Sequence, residues 1–214
     1  MTNATLPDLG SLPPVNGLHQ NMPPTDVNVV TRKLYVLIDG ENIDGALHDL
    51  LGRKPSAADR PRWDRLGAWA RTVWPGVTAR PPLFFMNCTA SVPWPFLQCL
   101  SACGLRPVPL SGPREVKVVD EGIKKMLAAL ESQPADVLLV SHDKDFVEPL
   151  DRLLAGGHRV GLVGFNEQMA VKLKDLVSKG AEFFDMEYDT RCFRSELPRL
   201  RVVPVEEFDP AKYF

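Results

Sequence analysis

The chain has 214 residues, 44% hydrophobic and 24% charged, with a formal net charge of −2. That composition suits a soluble protein with one sizeable core plus extensions, and it excludes a polycation that grips nucleic acid through overall charge; any such affinity must come from a local patch. No apolar run approaches the ~20 residues that cross a bilayer. Residues 1–32 hold Pro7, Pro13, Pro14, Pro23 and Pro24 among small polar residues, with no Lys or Arg before Arg32. This reads as a disordered or loosely attached arm rather than a secretory or transit segment, so the cytoplasm is the expected location.

The folded part begins at "KLYVLIDGEN", where the apolar run Leu34–Ile38 ends at Asp39-Gly40, as a strand buried on both faces does. "IDGALHDLL" predicts a short helix, and residues 53–61, with Pro55 and Pro61, a loop. "RWDRLGAWARTVW" repeats Trp63, Leu66, Ala70 and Val73 at helical spacing until Pro75-Gly76 stops it. "PLFFMN" is a second buried strand, "PWPFLQCLSACG" a helix with proline near its start and Gly104 at its end, and "LRPVPL" a strand whose prolines suit a sheet edge. "EVKVVDEGIKKMLAALES" sets Val119, Ile123, Met126, Leu127 and Leu130 on one helical face. Strand "DVLLV", helix "FVEPLDRLLAGG", strand "HRVGLVGF", helix "QMAVKLKDLVSKG" and strand "AEFFDM" follow. Residues 187–214 form a C-terminal extension with Pro198, Pro204 and Pro210.

Strands alternate with helices, which predicts one α/β domain over residues 33–186, with a mainly parallel central sheet and helices on both faces. Sites in such sheets gather beyond the carboxyl ends of the strands, near the switch in strand order. Four cysteines include only a C-x-x-x-C pair, Cys99 and Cys103, which lacks the spacing of zinc or redox sites; buried reduced thiols are expected.

Several polar residues fall at the predicted rim. Asp39 ends the first strand, with Asn42 just after; Asp120 opens a helix; Ser141, Asp143 and Asp145 follow "DVLLV". Singly, each aspartate has a structural reading: a turn at Asp39-Gly40, a helix N-terminus or a pair with Lys124 at Asp120, a cap at Asp145 with Glu148 as partner. Pro149 argues against the last of these, because a helix capped by Asp145 would need an N–H that proline lacks. Clustered carboxylates repel unless a cation sits among them. A hard divalent ion, Mg²⁺ or Mn²⁺, removes that repulsion, polarises a phosphate and activates a water. Asp39, Asp120, Asp143 and Asp145 are therefore the expected metal ligands, direct or through water, with Ser141 bonded to a carboxylate or a ligand water. His142 is a weaker metal candidate.

The stretches "LYVLIDGEN", "VKVVDEGI" and "DVLLVSHDKDFVEPLDRLLAGGHRVGLVG" together resemble the NYN domain, the LabA-like branch of the PIN-like nucleases. The family pattern is D-x-x-N after the first strand, an acidic residue opening a central helix, and S-x-D-x-D-F before a helix that begins close to a proline. Here those residues are Asp39 and Asn42, Asp120, then Ser141, Asp143, Asp145 and Phe146. The resemblance implies a Rossmann-like PIN fold and Mg²⁺- or Mn²⁺-dependent hydrolysis of RNA phosphodiesters, with Asn42 orienting the scissile phosphate or a metal ligand. Many PIN-like domains pair, so a homodimer is the oligomer to look for. Many relatives also carry a further Asp about two turns after the position of Asp120, where this chain has Met126 and Leu127. That departure keeps open an RNA-binding or regulatory module with weak or lost catalysis. A phosphatase reading finds no D-x-D-x-T at Asp39 and no phosphate-binding G-x-x-x-x-G-K-[ST] loop.

The segment from Arg53 to Arg80 is more basic than the family core. Arg53, Lys54, Arg60, Arg62 and Arg65 are expected to meet RNA phosphates, as are Lys117 and Lys144 near the acidic rim. Trp63, Trp69 and Trp74 lie among the arginines; Trp69 and Trp74 are expected in the core rather than stacked on bases.

Overall fold

The computed structural model describes residues 31–199, 203 and 205–213, and among these it carries one 7-stranded sheet. The strands are β1 Lys33–Asp39, β2 Thr78–Ala79, β3 Leu83–Asn87, β4 Arg106–Leu110, β5 Ala135–Val140, β6 Val160–Gly164 and β7 Glu182–Asp185. They run in the order β4-β3-β1-β5-β6-β7, with β2 paired to the start of β1, and every pairing is parallel. Proline-rich β4 lies at an edge, as its composition predicts. Apart from Thr31 and Arg32, the expected N-terminal arm lies outside the described residues.

Six helices, α1 Gly40–Leu51, α2 Trp63–Ala70, α3 Trp94–Ala102, α4 Val118–Leu130, α5 Val147–Ala155 and α6 Val171–Ser178, cover the two faces. Side-chain alternation along the strands sorts the core into two layers. Leu34, Val36 and Ile38 of β1 pack with Ile43 and Leu47 of α1, Leu66 of α2 and Leu100 of α3. Leu37 points the other way, to Ile123 and Leu127 of α4, Leu150 of α5 and Leu173 of α6. From β1 the chain builds outward through β3 to β4, then returns along α4 to β5 on the other side of β1. Connections of one hand that travel in opposite directions leave on opposite faces, so a crevice opens at the carboxyl ends of β1 and β5.

All three tryptophans of the basic segment belong to the core. Trp63 and Trp74 are buried, and Trp69 is packed against the same cluster. Trp63 meets the Phe84 ring edge-on at 5.0 Å, and Trp69 meets Phe184 at 5.1 Å. The expectation of four buried thiols holds only for Cys88 and Cys192; Cys99 is exposed on α3, and Cys103, at its C-terminal cap, is half-buried against the core.

Two ion-pair groups, one half-buried and one centred on a buried arginine, fasten the ends of the domain. At the amino end of the sheet, Asp136 accepts from Arg32 Nε and from the Arg159 N–H, both at 2.9 Å. Beyond β7, Arg199 reaches back with only 4% of its side chain exposed and meets Glu167, Asp185 and Glu187 at 2.6–2.9 Å. Its guanidinium also lies 4.8 Å from the Phe165 ring centre. Residues 187–199 are thus anchored by one cation among three carboxylates. Removing that cation leaves buried charge uncompensated, so Arg199→Met is expected to lower stability by about 3–5 kcal/mol, read from urea unfolding.

Candidate metal centre

β1 ends at Asp39, which keeps an extended backbone (φ −85°, ψ 93°) and caps α1: its Oδ1 accepts from the Asn42 N–H at 3.1 Å. The next residue must be glycine, because a Cβ on Gly40 would lie 2.4 Å from the Phe84 ring. The second oxygen of Asp39 accepts from Ser141 Oγ at 3.1 Å. Asp39 is only 3% exposed. Burial pushes its carboxyl up to about 6, against the pull of the Asn42 and Ser141 hydrogen bonds; Asp120 and Glu41 add to the rise.

Fully buried β5 delivers residues 141–146 to the same crevice. Ser141 Oγ also accepts from the Asp143 N–H at 3.3 Å. Asp143 Oδ1 accepts from the Asp145 N–H at 3.0 Å and caps a short 3-10 turn, Lys144–Phe146, pinned by buried Phe146. Asp143 is therefore the capping residue, not Asp145, and Glu148 pairs with Arg152 at 2.9 Å instead. Pro149 falls third in α5, in the first turn, where its missing N–H costs no intrahelical bond.

Asp120, in the first turn of α4, closes the group. Asp120, Asp143 and Asp145 each present a carboxylate oxygen, all within 4.8 Å of one another. Lys117 Nζ lies among them, 3.3 Å from Asp120, 3.9 Å from Asp143 and 3.2 Å from Asp145. Lys124 pairs with Glu121 rather than with Asp120. The Asp120 Oδ2 atom is buried and has the Lys117 ammonium, 3.3 Å away, as its polar neighbour. Oxygens sharing an ion at ~2.1 Å stand up to ~4 Å apart, so this all-oxygen donor set fits a hard divalent cation with small side-chain adjustment. Asp39 lines the same cavity of about 260 Å³ as Asn42, Asn87, Lys117, Asp120 and Asp143. Both its oxygens face hydrogen-bond donors, so Asp39 stands behind the three-carboxylate group rather than in it.

The other predicted residues divide sharply. Asn42 spends its carbonyl on His142, receiving the backbone N–H and Nδ1, each at 2.8 Å. His142 Nε2 accepts from the Phe165 N–H at 2.8 Å. These partners fix a neutral imidazole with its proton on Nδ1, and burial lowers its pKa to about 4. With both ring nitrogens engaged, His142 holds the loop and is no metal ligand. In the basic segment Arg53 is forked onto Asp59, Arg60 onto Asp44 and Arg62 onto Asp64, with closest contacts of 2.6–2.8 Å. Arg65 donates to the Phe193 carbonyl at 3.0 Å. The expected phosphate patch is largely neutralised by these pairs. Lys54 and Lys144 are exposed, and Lys117 lies in the carboxylate group itself. Glu41 and Asn87, which carried no assigned role, line the cavity wall.

A family model described as the NYN domain matches residues 33–187. The chain belongs to the NYN family, within the PIN-like superfamily. The NYN segment contains every residue of the carboxylate group and stops where the Arg199-anchored tail begins. Its fold resembles a solved structure of a protein of unknown function from Vibrio parahaemolyticus, with a TM-score of 0.56 and 17% identity over 75% of this chain and 96% of that one. No curated protein matches the chain.

Asp39 and His142 set the acid response of the metal-free protein in opposite senses. From about pH 6 down toward 4 the folded chain protonates Asp39 while the unfolded chain does not, so acidification stabilises the fold. From about pH 6.5 down to 4 the unfolded chain protonates His142 while the folded chain does not, so acidification destabilises it. Each contribution is roughly 3 kcal/mol. Asp39→Asn is expected to be more stable than the parent at pH 7 and to lose stability more steeply toward pH 4.5. Urea unfolding across that range checks this, and parallel pH profiles for the two proteins would contradict it.

Proposed function

We propose that this NYN protein hydrolyses RNA phosphodiester bonds with Mg²⁺ or Mn²⁺ held by Asp120, Asp143 and Asp145. The observation that carries the reading is the convergence of three carboxylates from two separate segments, with Lys117 Nζ as the cation now among them. Family membership supports RNA as the substrate and hydrolysis as the reaction. When bound, the ion supplies Lewis-acid polarisation of the scissile phosphate and lowers the pKa of a coordinated water.

The chain's residues then divide the work. Asp143, fixed by its cap to Asp145 and by Ser141, presents a preoriented carboxylate. Asp39 locks Ser141 and the start of α1, and it would hold a bound ion only through water. Asn42 holds the backbone of His142 and so keeps the 141–145 turn at its distance from β1. Lys117 neutralises the carboxylates and, with an ion in its place, would be free to meet a phosphate oxygen. Exposed Lys144 adds a second phosphate contact at the rim.

Asp143→Asn is expected to reduce Mn²⁺-dependent cleavage of a fluorescent oligoribonucleotide by at least about a hundredfold, with little change in melting temperature; full retention of cleavage would overturn the assignment. Lys117→Met is expected to tighten Mn²⁺ binding without RNA on the order of tenfold and to weaken RNA binding, both measured by calorimetric titration. A second reading is favoured by Lys117 serving as an internal cation and by Leu127, fully buried, standing where relatives carry a further aspartate. It makes the chain an RNA-binding module. RNA binding without turnover across Mg²⁺ and Mn²⁺ titrations would decide for it.

A further inference from the structure

Beside the carboxylate group lies a larger cavity, about 520 Å³, walled by Trp63, Phe84, Met86 and Phe96. It adjoins the cavity of the metal centre, with Glu41 and Asn87 in the walls of both. The two differ in chemistry. The second cavity is mostly apolar and aromatic, and its charged edge consists of Glu41 and the Asp44–Arg60 pair. Arg60 is already forked onto Asp44 through Nε and Nη2, so the net charge at this edge is negative.

That combination repels a phosphate and favours a flat, uncharged ring system with N–H donors on its rim. Aromatic walls accept a ring face or edge, and free carboxylate oxygens accept from an exocyclic amine. Trp94, which follows the lining residue Pro93, leaves 65% of its surface exposed, and core packing does not account for that. An exposed indole beside a strand path is a stacking platform for an unpaired base.

We propose that this cavity is a base-binding subsite: it takes the nucleobase of the nucleotide that flanks the scissile phosphate, and Glu41 selects bases with an amino group over uracil. The inference depends on the ribonuclease reading for the phosphate it flanks, but base binding in the cavity requires no catalysis. It adds a specificity determinant to a centre whose carboxylates read only metal and phosphate.

The test is an NMR titration of the full metal-free chain with cytidine, uridine and ribose 5-phosphate. Cytidine is expected to shift the Gly40 amide, the Trp63 indole and the Phe96 signals; uridine should bind several-fold more weakly, and ribose 5-phosphate should leave these signals unmoved. Phe96→Ala is expected to weaken cytidine binding by about tenfold, the scale of one lost stacking contact. Met86→Trp, which fills the cavity, should block binding without deleting packing. Cytidine shifts that are absent, or unaffected by both variants, would overturn the subsite, and equal binding of uridine would overturn selection by Glu41. Measured alongside, RNA cleavage without cytidine binding would sink the subsite and leave the ribonuclease standing. Cytidine binding without cleavage would do the reverse.

Discussion

Mutual repulsion among carboxylates is the constraint around which the carboxyl rim is organised. Water would separate Asp120, Asp143 and Asp145; the fold holds their oxygens within 4.8 Å. It does so with rigid parts. β1 and β5 pair in register from Lys33 with Ala135 to Ile38 with Val140, so the loops that leave them start from fixed, buried positions. Asp39 and Ser141 then tie the two strand ends together across the crevice, and Asn42 and His142 repeat the tie one layer out. α4 brings Asp120 to the same place by packing Ile123 and Leu127 on the lower core layer.

This arrangement works against stability. A carboxyl raised to about 6 is a charge that the fold tolerates at neutral pH rather than one that helps it. Lys117 relieves the exposed part of the repulsion through three contacts of 3.2–3.9 Å. The deeper part is offset by the two apolar layers and by the ion pairs of Arg32 and Arg199, both away from the centre. The division follows ordinary logic: the ends and faces stabilise, and the rim concentrates negative charge.

Much of this was legible in the sequence. Continuous apolar runs gave away the buried strands, and the proline pair of β4 gave away its edge position. Pro149 located the start of α5 and freed the preceding turn. β2, with two residues, is too short to show any alternation. What escaped the sequence depends on partners far along the chain. Arg60 meets Asp44 across 16 residues, and His142 meets both Asn42 and Phe165. In the basic stretch read as a phosphate patch, Arg53, Arg60 and Arg62 are each forked onto an aspartate. Lys117 read as a phosphate contact near the acidic rim; only the approach of α4 to the 141–145 turn makes it the cation of the cluster.

The central claim is that the carboxylate group exchanges Lys117 for a divalent ion. Anomalous diffraction from a crystal soaked in Mn²⁺ tests it most directly. The account predicts a peak within about 2.1–2.3 Å of oxygens from Asp120, Asp143 and Asp145, with Lys117 Nζ withdrawn beyond about 4 Å from all three. Lys117 unmoved among the carboxylates at saturating Mn²⁺, with no peak beside them, would contradict it.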